Sequence, residues 1–437
     1  MRYTRPMKSF ARLIVFLAVC GGIGWGVWVW HGQEAKGVAV AAPGLSAYTR
    51  FDLDVFDIVK ENYWQATTDA DLSVLFLQSA QKATNDQGLK LATSTRAGVA
   101  DLLEQVFSAT STVAERTDRS RLIAQIVLYN LAPQGRSALM SSQAQKELRD
   151  TVANVPAKDL YQTLGTEKGA SAADVQRAYA AEVKKLGQAT SSEAQAQKQQ
   201  LSHAKEILTD PIDKSLYDQT GMQPTVFMRV VGGNTLYIDM SQVSPASFAE
   251  FVKKLQDTVG KNPKLSYMIL DVRHNIGGAL DFLTYFMGLF FGPNQFAFDL
   301  YHKGELKPQR TPAVAKMPEL AQFKETAILA DGQTQSTAEL MTATFKRFHM
   351  AHVVGVKTHG WGTVENTFPI PTVLEASTTY AVYLVHSLTA REDNQPIEGM
   401  GVDPDVDVST SGWKTKLSSV FDSPSFIQAI IKEETAK

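Results

Sequence analysis

The sequence predicts an α/β core, a mostly parallel sheet with covering helices, preceded by all-α domains and one N-terminal transmembrane helix. Three observations predict it. From residue 234 onward, strand-like and helix-like segments alternate, the pattern of a parallel sheet with helical crossovers. Between residues 48 and 150 apolar residues recur at helical spacing and strand signals are absent. Leu13–Trp30 is an uninterrupted uncharged run. The bulk composition, 44% hydrophobic and 20% charged over 437 residues, is that of a globular protein with room for about three domains. A net charge of −2 gives no reason to expect nucleic acid. The single cysteine, Cys20, lies in the apolar run, which excludes an internal disulfide or a thiolate zinc site elsewhere; no metal or other cofactor is expected.

The elements follow in chain order. "MRYTRPMKSFAR" carries Arg2, Arg5, Lys8 and Arg12 without an acid, and the uncharged run comes next. As a helix that run spans ~27 Å, close to the ~30 Å of a hydrocarbon core. The basic flank belongs on the cytoplasmic side, with Trp28 and Trp30 at the far interface. Residues 1–35 are thus expected to be a cytoplasmic tail and signal anchor, single-pass through the inner (cytoplasmic) membrane by residues 13–30, with everything after them periplasmic. A cleaved signal peptide processed near "AVAA" (39–42) is the alternative. After a small-residue linker, residues 44–150 are expected to form a helical domain and 155–222 a second helical module. The stretch 187–200, rich in Gln, Ala and Ser, reads as a mobile loop.

The core is expected over 225–437. "NTLYIDM" (234–240), "LSYMILDVR" (265–273), "ETAILAD" (325–331) and "AHVVGV" (351–356) read as strands. "SPASFAEFVKKLQDTV" reads as a helix with Ser244 as cap and Pro245 at its first position. "ALDFLTYFMGLFF" and "STAELMTATFKRF" are the other helices. Ser336-Thr337-Ala338-Glu339 has the form of a capping box, with Glu339 reaching back to the start of its helix. A serine there also has free amides and a positive dipole end beside it, the setting in which an oxyanion is stabilised.

Four motifs in order resemble the C-terminal processing (tail-specific) serine proteases. "YMILDVRHNIGGAL" is similar to that family's strand ending in Asn-Pro-Gly-Gly, and "ILADGQTQSTAEL" to the segment carrying its nucleophile. "VVGVKTHGWGTVE" resembles its glycine-rich turn and "IEGMGVDPDVDV" its closing motif; "FDIVKENYWQATTDADL" resembles the helical opening that precedes the core. The resemblance implies a serine peptidase fold with Ser336 at the nucleophile position and the amides of Thr337 and of Gly277 or Gly278 as oxyanion donors. It also implies a lysine base in the glycine-rich turn, and that position, between Gly360 and Gly362, is Trp361. An indole N–H donates and cannot accept a proton. The family's glutamine a short way beyond is replaced by Glu365, and a position acidic in the family, on the helix after the serine, is Arg347. His359, next but one to the vacated position, and Glu365 are the candidate substitute bases.

A second resemblance covers residues 158–221. "KDLYQTLGTEKGASAADVQRAYAAEVKKL" and "LSHAKEILTDPIDKSLYDQTG" are similar to a J-domain, but Gly187-Gln188-Ala189 stands where such domains carry His-Pro-Asp. The module occupies the slot in which processing proteases carry a PDZ domain that captures substrate tails. No DnaK-type chaperone is expected as a partner. The expected function is that of a membrane-anchored periplasmic peptidase homologue, catalytically impaired, binding a protein partner or substrate. The alternatives are an active serine endopeptidase with a base such as His359, and a J-like adaptor or scaffold.

Overall fold

The computed structural model describes residues 44–187 and 191–436. The expected anchor, residues 13–30, lies outside the described residues, as do Gln188 and Ala189. Among the described residues no helix is long and apolar enough to cross a membrane. Residues Ser46–Lys437 form one compact unit.

Four helices open it: α1 (Ala47–Asn62), α2 (Asp69–Thr84), α3 (Arg96–Ser108) and α4 (Val113–Tyr129). Each begins where a Ser or Thr side chain (Ser46, Thr68, Thr95, Thr112) accepts a first-turn amide. Their apolar faces meet in a core containing Phe51, Phe56, Phe76, Leu103, Phe107 and Ile123, all buried. Strand signals read as absent from this region, yet β1 (Ala138–Ser141) follows, pairing antiparallel with Tyr380–Tyr383, far along the chain. So short a segment, without alternating burial, carries no local strand signal; the partner strand makes the strand. Next come α5 (Ser142–Val152) and a small module of α6 (Leu160–Thr163), α7 (Ala172–Leu186), α8 (Ser192–Thr209) and α9 (Pro211–Thr220), packed on Leu160, Tyr161, Val175, Leu201, Ile207 and Tyr217. The loop expected over 187–200 is a correction: α8 starts at Ser192, capped by Ser191, and its alanines and glutamines are good helix formers.

The remainder runs β2 (Val226–Val231), β3 (Thr235–Met240), α10 (Ser247–Lys261), β4 (Tyr267–Asp271), α11 (Asp281–Phe291), β5 (Phe296–His302), β6 (Glu305–Arg310), β7 (Glu325–Ala330), α12 (Thr337–Arg347), β8 (His352–Gly355), β9 (Thr363–Pro369), β10 (Tyr380–Thr389), β11 (Val406–Asp407), α13 (Trp413–Lys416) and α14 (Pro424–Thr435). The main sheet has the order β11-β8-β7-β4-β3-β2 and is parallel except for the β2–β3 hairpin. α14 covers one face through Phe426 and Ile430; a ring cluster of Phe251, Phe286 and Phe345 joins α10, α11 and α12. The first of these helices starts later than expected. Ser244 does not cap it; its hydroxyl accepts from Ala246 and its amide donates to Ser247 Oγ, a turn that delays the helix to Ser247. A second, antiparallel sheet has the order β1-β10-β5-β6, with β9 also paired to β10.

Candidate functional site

The site lies where three adjacent parallel strands end. β4, β7 and β8 release their chains at the same edge, and the crevice outside such carboxyl ends is where open α/β sheets bind ligands. β4 runs into Asn275-Ile276-Gly277-Gly278, β7 into the turn carrying Ser336, and β8 into Thr358–Gly362. The loops are tied together. The amide of Gln335 donates to the Asn275 carbonyl (2.8 Å), Thr334 Oγ1 donates to the Val272 carbonyl (2.9 Å), and the His359 amide donates to the Thr334 carbonyl (3.1 Å).

Ser336 sits at φ 54° and ψ −124°, a backbone conformation that side-chain-bearing residues avoid. Such strain costs ~1–3 kcal/mol and survives only where the surroundings enforce it. Here Gly277 supplies the room: a Cβ on it would stand 2.7 Å from Ser336 Cβ and 2.8 Å from the Thr337 amide nitrogen. Glu339 supplies the anchor. Its buried carboxylate accepts from the amides of Ser336 (3.0 Å), Gly360 (2.7 Å) and Trp361 (2.7 Å), and from the Thr358 hydroxyl. Of the expected capping box, the Glu339 arm is thus formed; the Glu339 amide donates to the Ser336 carbonyl (2.9 Å). Burial pushes the Glu339 carboxyl above its ordinary range, opposed by the Thr358 hydroxyl and these amides.

The oxyanion assignment narrows. The Gly277 amide is taken by Asn275 Oδ1 (2.8 Å), so Gly277 is corrected from donor to spacer. The other two expected donors, Gly278 and Thr337, are held side by side by a bond from Thr337 Oγ1 to the Gly278 carbonyl (2.9 Å).

Neither candidate base is hydrogen-bonded to the Ser336 hydroxyl. His359 is exposed, with Nδ1 3.3 Å from the Gly332 carbonyl oxygen. The Glu365 carboxylate accepts from the Trp361 indole N–H (3.3 Å) and from the Thr363 hydroxyl. Burial raises the Glu365 carboxyl, opposed by those two bonds and by the charge of Arg136. Among the described residues no histidine, lysine or carboxylate is hydrogen-bonded to the Ser336 hydroxyl. Arg347, in the expected acidic position, lies within 3.7 Å of Asp299 and bonds the Arg391 carbonyl instead.

Two features had no readable signal. The Arg136 guanidinium lies over the Trp361 ring at 3.5 Å from its centroid and donates twice to Glu398 Oε1 (3.1 and 3.2 Å). His274, at φ 64° in the β4 loop, places Nδ1 2.6 Å from Asp331 Oδ2. The first joins segments remote from one another in the chain, and the second pairs residues on two different strand ends. No group of His, Cys, Asp and Glu able to hold a metal ion occurs among the described residues.

Residues 234–408 match the family model described as Peptidase family S41. The chain is 25% identical over 178 residues to a carboxy-terminal-processing protease of Bartonella bacilliformis, covering 40% of this chain and 39% of that protein. It is 27% identical over 151 residues to a probable CtpA-like serine protease of Staphylococcus epidermidis, 35% of this chain and 29% of that one. The alignments therefore span well under half the length of these curated relatives. Among solved structures, the photosystem II D1 C-terminal processing protease aligns with TM-score 0.47 and 12% identity over 83% of this chain and 93% of its own. A lipoprotein from Streptococcus agalactiae aligns with TM-score 0.46 and 15% identity, over 88% and 99% of the two chains. Over residues 234–408 the chain is thus similar to family S41 peptidases, and over part of its length to the carboxy-terminal-processing proteases.

Proposed function

We propose that this S41 peptidase homologue is a membrane-anchored periplasmic protein whose catalytic power is impaired and whose Ser336 cleft binds a protein partner or peptide. One observation carries the reading. Position 361 holds an indole that donates to Glu365, and among the described residues no basic side chain is hydrogen-bonded to the Ser336 hydroxyl. A serine is a weak nucleophile without a base in hydrogen-bond reach, and loss of one member of such a unit costs on the order of 10⁴–10⁶ in rate. The binding half of the machinery persists: a helix N-terminus, two backbone donors and a glycine cradle. A peptide carbonyl can dock there without being cleaved. In the same reading residues 13–30 anchor the chain, and the J-domain-like module over 155–222 offers a further docking surface without a DnaK-type chaperone.

A second reading, an active endopeptidase, is favoured by one feature. The strained backbone of Ser336 is retained, and strain of this kind is costly where nothing uses it. The imidazole to examine first in that case is His274, which Asp331 orients. Labelling of the full-length protein with a fluorophosphonate probe, with Ser336→Ala as control, separates the readings. Absence of labelling, with retained peptide binding, is the expected result. Labelling that disappears in Ser336→Ala overturns impairment.

A further inference from the structure

We propose that Arg136 is a positioning residue that closes the Trp361 side of the Ser336 cleft and makes its opening depend on the segment between α4 and β1. The inference rests on the reading of that cleft as the binding site, and its physical basis is a chain of contacts. Arg136 stacks its guanidinium on the Trp361 indole and forks onto Glu398 Oε1. The other oxygen of Glu398 accepts the Gly362 amide (2.7 Å), so one carboxylate fastens the arginine and the turn that bears the indole. The far edge of the indole is held by Glu365, and its backbone amide by Glu339, which also holds Ser336. Trp361 is therefore held through its backbone amide by Glu339 of helix α12 and through its ring by an arginine of the N-terminal region.

The arginine is suited to this in a way that lysine is not. A planar guanidinium can stack on an aromatic face and donate two bonds in its own plane, whereas an ammonium offers a point charge. The pair is shielded, with Arg136 and Glu398 side chains 18% and 15% exposed, so water competes weakly for it. The segment that delivers Arg136 is itself fixed at both ends. The Trp64 indole N–H and the Tyr63 hydroxyl donate to the Ala132 carbonyl, and the Val385 amide donates to Ser137 Oγ (3.2 Å). A displacement of α1 or α4 thus reaches Trp361 through one side chain. Substituting Glu398 loosens the Arg136 fork and the Gly362 amide together and leaves the indole itself chemically unchanged, so it complements Arg136→Ala, which removes the stacking cation alone.

The experiment is ¹⁹F NMR of the full-length protein labelled with 5-fluorotryptophan, the Trp361 resonance being assigned by its loss in Trp361→Phe. In the parent a single sharp line is expected. In Arg136→Ala and in Glu398→Gln the line is expected to broaden by exchange and the residue to become accessible to acrylamide quenching, with Arg136→Lys intermediate. A line that stays sharp in both Arg136→Ala and Glu398→Gln overturns the proposal. Fluorophosphonate labelling and peptide binding, measured on the same samples, report on the cleft itself. A mobile indole with no ligand at the cleft rejects the binding reading and leaves the latch standing; a rigid indole with a bound peptide does the reverse.

Discussion

Glu339 concentrates at one carboxylate what the site needs: the start of α12, the strained serine and the turn over 358–361 all hang on it. Replacement by alanine leaves several buried donors unpaired. Glu339→Ala is expected to destabilise the fold by ~3–5 kcal/mol, and Glu339→Gln by less because one amide oxygen persists. Urea unfolding of the two variants checks the order. Gly277 is the steric counterpart. At φ 86°, with backbone atoms 2.8 Å from any Cβ, Gly277→Ala is expected to cost ~2–4 kcal/mol and to displace the Ser336 turn. A melting temperature equal to that of the parent would contradict the close packing described for it.

Among the elements, β5 and β10 carry a stacked histidine pair with ring centres 4.3 Å apart, His302 and His386. Burial, then the neighbouring His302, Lys307 and Lys303, push the His386 imidazole down to about 4 from its ordinary 6.5. The folded state therefore binds fewer protons than the unfolded one between those values. Stability from this pair is complete above pH 6.5 and is lost as pH falls toward 4. After allowance for partial solvent screening the loss is ~1–2 kcal/mol. His386→Phe is expected to flatten that limb, read as the difference in unfolding free energy between pH 7 and pH 5. Glu250, on α10, acts in the opposite sense. Its buried carboxylate takes the amides of Thr225 and Val226, and burial raises its pKa to about 7. Its contribution is present below pH 4.5 and is lost as pH rises to 7. Comparing His386→Phe with Glu250→Gln separates the two limbs.

At the scale of the molecule, two of the joints between the helical parts and the core lend themselves to test. In one, Asp213 of α9 meets Lys254 of α10, both nearly buried, with Lys254 also donating to the Val226 carbonyl (2.6 Å). Asp213→Ala takes from the buried ammonium its ion-pair partner and is expected to cost ~3–5 kcal/mol, whereas Asp213→Ala with Lys254→Met recovers most of it. A double variant no better than the single one would mean that the pair is not the source of the loss. In the other joint β1 completes the second sheet by pairing Ala138–Ser141 with Tyr380–Tyr383. Residues 225–437 expressed alone would expose that edge of β10. They are expected to associate or to unfold without cooperativity, as read by sedimentation and circular dichroism.

Much of this was legible in the sequence, because local rules dictate it. Hydrophobic periodicity marked the opening helices, and buried apolar runs marked β3, β4, β7 and β8 as strands of a mostly parallel sheet. Ser336, Glu339 and the paired glycines stood out because a serine opening a helix and adjacent glycines after a strand leave local marks. Trp361 stood out because the motif around it implies another residue. What tertiary structure alone decided are the pairings across distance. β1 is a strand only because β10 offers it an edge. His359 faces Gly332, a direction set by the loop over 331–334. Arg136 reaches Trp361 from a remote part of the chain, and no pattern of spacing records which distant side chain will cover an indole. Periodicity determines which face of a segment is buried; only the assembled chain determines what that face meets.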